Sequence, residues 1–86
     1  MPQISRFFGI IISMFYDEHQ PPHFHATYNE FNAEIKISDL SIIEGKLPPR
    51  VLGLVIEWAS LHKDEIIENW NRVVKMEKLE KIDPLV

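Results

Sequence analysis

Nine residues, Asp17-Glu18-His19-Gln20-Pro21-Pro22-His23-Phe24-His25, hold three of the four histidines and two of the six prolines of an 86-residue chain. Imidazole is the side chain whose ordinary pKa lies closest to neutrality, so it can donate a proton, accept one or bind a metal. If His23 and His25 lie on a strand, their spacing puts both rings on one face, about 7 Å apart along the chain. They could then converge on one divalent ion such as zinc. Asp17 or His19 from the preceding loop would complete a set of Asp17, His19, His23 and His25 and leave a position open for water.

The same residues allow chemistry without a metal. One neutral and one protonated imidazole among His19, His23 and His25 would act as base and acid, as in cleavage of RNA by its own 2′-hydroxyl, with Glu34 tuning one of them. Arg6, Tyr16, Tyr28 and Arg50 are the candidates for binding phosphate. A third reading needs no chemistry, because clustered ionisable groups mark sites only statistically and exposed histidines beside a rigid double proline are common in small domains.

The elements that must position these groups follow from the patterning. Phe7 to Tyr16 is rich in aromatic and β-branched residues and reads as one strand, with Ile10, Ile12, Met14 and Tyr16 on one face and Ile11, Ser13 and Phe15 on the other. Gly9 marks a bulge or close approach near its start. Pro21 and Pro22 restrict the loop that presents His19.

His23 to Tyr28 and Phe31 to Ser38 both alternate, which predicts a hairpin. A two-residue link Asn29-Glu30 pairs Tyr28 with Phe31, Ala26 with Ala33 and Phe24 with Ile35, apolar against apolar. It also sets Glu34 opposite His25, where a carboxylate orients or charges the imidazole, and Lys36 opposite His23, which disfavours a cation there and counts against a metal at that residue. Asn29 suits a type I′ turn and Glu30 does not, so the turn type stays open.

Leu40 to Ile43 reads as a further strand ending at Gly45. Pro48 and Pro49 suit the first turn of a helix. From Val51 to Val73 apolar residues recur at three- and four-residue steps, giving one long helix or two, with a break near His62-Lys63-Asp64. His62 falls in the apolar stripe as a core-facing or boundary residue, and Trp58 and Trp70 read as core. The expected fold is α+β: a small, mainly antiparallel sheet of three to four strands, followed by one long or two consecutive C-terminal helices packed on one face. The tail from Leu79 to Val86 is expected to pack extended.

Residues 1–86 suit a single domain, which at this size buries a little over about 60% of its unfolded surface. The absence of cysteine excludes disulfides and thiolate metal sites. No segment is long and apolar enough to be read as membrane-spanning, and a cytoplasmic location is expected. A net charge of −4 opposes general affinity for nucleic-acid backbones, so RNA binding requires a locally basic surface, for which Arg6, Lys36, Lys46 and Arg50 are candidates.

Several segments together resemble a known family: Ile4-Ser5-Arg6-Phe7-Phe8-Gly9-Ile10, Asp17 to Ala26 with its Pro-Pro-His-Phe-His run, Ile43 to Pro48, Glu57-Trp58-Ala59, Leu61-His62 and Glu68-Asn69-Trp70. The chain is similar to the small bacterial proteins grouped as domain of unknown function 4160. The resemblance implies a protein often encoded beside another small protein, an arrangement proposed to be toxin–antitoxin-like. It implies a small neighbouring-gene product as partner, and also lets His62 join His23 or His25. Members resembling this chain often have Gly-Gly where it has Asn29-Glu30.

Three functions are therefore expected. The first is a toxin–antitoxin-like component whose His19, His23 and His25 act on or bind RNA. The second is a regulatory module binding a divalent metal, and the third a non-catalytic partner-binding protein or homo-oligomer.

Overall fold

The computed structural model of the chain describes residues 2–16 and 19–86. Five strands, β1 (Gln3–Phe7), β2 (Ile10–Ser13), β3 (His23–Tyr28), β4 (Phe31–Lys36) and β5 (Ile42–Lys46), precede two helices, α1 (Pro49–Leu61) and α2 (Lys63–Val74). The strands lie in the order β1-β2-β3-β4-β5 and every neighbouring pair is antiparallel. The fold is α+β, as the order of patterns predicts, with one strand more than expected.

The extra strand comes from the N-terminal run. Phe7 to Tyr16 is not one strand, because the chain reverses at Phe8-Gly9 and Phe7 pairs with Ile10. Both turn residues have positive φ, 50° and 79°, the requirement of a type I′ turn, which glycine meets freely and Phe8 adopts under constraint. The continuous apolar run hides that turn, and Gly9 is its one marker.

The β3–β4 hairpin has the register that alternation predicts: Tyr28 with Phe31, Ala26 with Ala33, His25 with Glu34, Phe24 with Ile35 and His23 with Lys36. Asn29 takes the left-handed turn position at φ 52°, as its short polar side chain allows.

Phe24, Ala26, Ala33, Ile35, Ile10 and Ile12 form one fully buried face of the sheet. Trp58 of α1 covers it, its ring centroid 5.5 Å from that of Phe7 and 6.0 Å from that of Phe24. Pro48 and Pro49 begin α1, and the helices separate at His62. The tail is tied along β1: Ile82 N–H donates to the Ile4 carbonyl (2.7 Å), and Trp58 Nε1–H donates to the Asp83 carbonyl (2.8 Å). Ile82 and Leu85 are buried there. Among the described residues no helix is long and apolar enough to cross a membrane.

Candidate functional site

The other face of the sheet carries the histidines. Because side chains alternate along a strand, His23, His25 and Thr27 point away from Phe24 and Ala26. The registers extend this into cross-strand rows. Ser13, His25, Glu34 and Glu44 are successive partners across β2, β3, β4 and β5. Arg6, Ile11, Thr27, Asn32 and Lys46 form the adjacent row, and Lys36 lies opposite His23.

One ligand atom each from His23, His25 and Glu34 lies within 4.8 Å of the others. The rings of His23 and His25 have centroids 5.3 Å apart, and His23 Nε2 is 3.5 Å from Glu34 Oε1. His23 is held from behind. Its Nδ1 lies 2.7 Å from the Pro21 carbonyl oxygen; a carbonyl can only accept, so Nδ1 carries the proton and, in the neutral ring, Nε2 presents its lone pair towards Glu34. A backbone carbonyl that fixes the tautomer in this way is the usual companion of a metal-binding imidazole.

His23 is 5% exposed, although alternation alone places it on the face expected to stay outside the core. The cause is α2, which brings the Trp70 ring to a centroid distance of 5.4 Å. Trp70 also lines a cavity of about 240 Å³ with Pro22, Ile37, Ser38, Ile67 and Asn71. His25 is half-buried and meets Phe15 edge to face at 4.6 Å. Glu34, at 28% exposure, keeps the site open to solvent.

Other sequence candidates lie elsewhere. His19 is exposed and outside the three-residue group, while Asp17 falls outside the described residues. His62 is occupied at the helix break, with Nδ1 2.7 Å from Glu65 Oε1 and its ring 5.7 Å from that of Trp58. Tyr16 donates its hydroxyl to the Glu77 carbonyl. Tyr28 and Arg50 line a cavity of about 320 Å³ with Phe8, Val51 and Leu54, at the opposite end of β3 from His23. Arg6, by register, shares the histidine face. A cavity of about 460 Å³ at residues 60–65 surrounds the helix break and includes none of the three clustered residues.

Sequence reasoning about function passed over Ser13 and Trp70. Ser13 is buried opposite His25, its hydroxyl without a hydrogen-bond partner among the described residues. Its place on the face of Phe15 was legible; its pairing with His25 was not, because that depends on the β2–β3 register.

A five-stranded meander backed by two helices, with two imidazoles and a carboxylate clustered on the sheet face opposite Trp58, defines a small α+β protein with a metal-capable face. The chain belongs to the family of domain of unknown function DUF4160, which it matches over residues 9–71. No curated protein and no solved structure matches it.

Proposed function

We propose that the protein binds a divalent metal ion through His23, His25 and Glu34, and that the face bearing this ion acts on or binds RNA. The observation that carries the reading is the mutual approach of the three ligand atoms to within 4.8 Å. Two imidazoles and one carboxylate leave coordination positions open, as at catalytic rather than structural sites. Such an ion supplies Lewis acidity and lowers the pKa of a bound water. The chain's own residues do the holding: Pro21 fixes the His23 tautomer, Trp70 and Phe15 pack the two rings, and Glu34 provides charge.

RNA is favoured by the neighbouring rows. Arg6, Lys36 and Lys46 share the face with the cluster by register, a local cationic rim in a chain of net charge −4, and phosphate binding needs only local charge. The toxin–antitoxin-like setting implied by the family resemblance adds a small protein partner to this reading.

The test is zinc titration of tagless protein followed by imidazole NMR. His23 and His25 should shift together and saturate at one equivalent, while His19 and His62 serve as internal controls. Equal shifts at all four histidines, or none at any, would sink the metal reading. For the RNA half, single-stranded RNA binding should weaken in Arg6→Gln and Lys46→Gln, and each substitution should lower the salt slope by about one, the share of a single cation facing a phosphate. Unchanged slopes would remove RNA.

A further inference from the structure

We infer that Glu44, on edge strand β5, is a fourth ligand at the site of His23, His25 and Glu34; the inference rests on the metal reading above. It begins with an irregularity in the sheet. Asn32 pairs with Lys46, Ala33 with Gly45 and Glu34 with Glu44, but Ile35 then pairs with Ile42, leaving Ile43 over as a bulge. Lys36 N–H donates to the Ser41 carbonyl at 2.9 Å, continuing the shifted pairing.

Since the side-chain period of a strand is two, one extra residue reverses the face of everything beyond it. Without the bulge, the pairing of Ser41 and Ile42 would run on to set Ile43 beside Glu34 and Glu44 beside Ala33, on the buried face. The bulge exchanges those two residues. Isoleucine leaves the histidine row and a second carboxylate enters it, which is how bulges re-aim side chains next to functional sites.

The exchange constrains the backbone as well. Gly45 sits at φ +81°, and a Cβ there would overlap the carbonyl oxygen of Asn32, so no other residue fits without rearrangement. Two carboxylates directly opposite one another on neighbouring strands repel. A cation between them reverses the sign. Directly opposed Cβ atoms lie about 4.5–5.5 Å apart, a gap a glutamate side chain spans.

Glu44 is exposed and outside the three-residue group. It therefore closes on a bound ion from the solvent side, completing a set of two imidazoles and two carboxylates. Bulges and charges also blunt exposed sheet edges against unwanted pairing. That role alone predicts no effect of Glu44 on metal binding, so one titration separates the two.

The experiment is titration of tagless wild type, Glu44→Gln, Glu34→Gln and Glu57→Gln with Zn²⁺ and with Co²⁺, whose visible spectrum reports its coordination. Glu44→Gln should keep one-equivalent stoichiometry, lose at least about tenfold in affinity and change the Co²⁺ bands, while Glu57→Gln, an exposed position on α1, does neither. Wild-type affinity and spectrum in Glu44→Gln, with binding still lost in Glu34→Gln, would overturn the role of Glu44 and leave the three-residue site standing. No binding in the wild type would overturn the site and this inference together.

Discussion

The two faces of β3 are built from alternate residues of one six-residue strand, yet they do different work. Phe24 and Ala26 are fully buried under Trp58, among isoleucines of the neighbouring strands. His23 and His25 look the other way, into a row of serine and glutamates, with the Trp70 ring of α2 against His23. The period of two lets a chain this small hold a core and a polar site on opposite faces without assigning separate elements to each. One face then sets stability, and the other is free to carry groups that stability does not require.

The sharpest way to break this comparison is to truncate each face in turn. Trp58→Ala or Phe24→Ala should cost about 3–5 kcal/mol, much of the total stability of an ordinary small domain at about 5–15 kcal/mol. His25→Ala should cost under about 1 kcal/mol, because its ring is half-buried on the face that lacks a core. Guanidinium unfolding midpoints measure both. If His25→Ala is as destabilising as Phe24→Ala, the two faces are not separable.

His23 sharpens the contrast because it belongs partly to both. Its ring is buried against Trp70 and tied to the Pro21 carbonyl, so His23→Ala removes packing and leaves a carbonyl to find a new donor. A loss of about 2 kcal/mol is expected. Both histidine variants should lose zinc binding, but His23→Ala should lower the unfolding midpoint by clearly more than His25→Ala. Equal midpoints for the two would show that Trp70 does not anchor the site.

What the sequence reveals divides along the same line. The β3–β4 register, and with it the placing of Glu34 beside His25, is legible because both strands alternate cleanly and are separated by two residues. The place of the helix break, near His62, is legible but its existence is not, because the apolar stripe runs on through it and allows one helix as well as two. The Phe8-Gly9 turn is not, since an aromatic residue in the left-handed region within an apolar run carries no turn signal. Nor is the burial of His23, which depends on where α2 ends up relative to the start of β3. The loop residue His19 looks like a ligand by proximity in sequence. In space the group that approaches His23 and His25 to within 4.8 Å belongs to the next strand, as Glu34.

The smallest effect concerns the link that leads into the β5 bulge. Asp39 Oδ1 accepts from the Ser41 hydroxyl at 2.7 Å and from Ser41 N–H at 3.1 Å, and these two bonds, the hydroxyl's first, hold its carboxyl below its ordinary pKa. A carboxyl whose pKa is lower in the folded state binds protons more readily when unfolded. Its stabilising contribution is therefore complete above the unfolded pKa and is lost as pH falls through the folded one. Asp39→Ala should thus separate from wild type at neutral pH by a small margin in unfolding midpoint, as befits a fully exposed group. The margin should narrow below about pH 4. A gap that stays constant from neutral to acid pH would mean that the turn is held by its backbone alone. The charge at Asp39 would then play no part in delivering Ser41 to Lys36, where the shifted pairing begins.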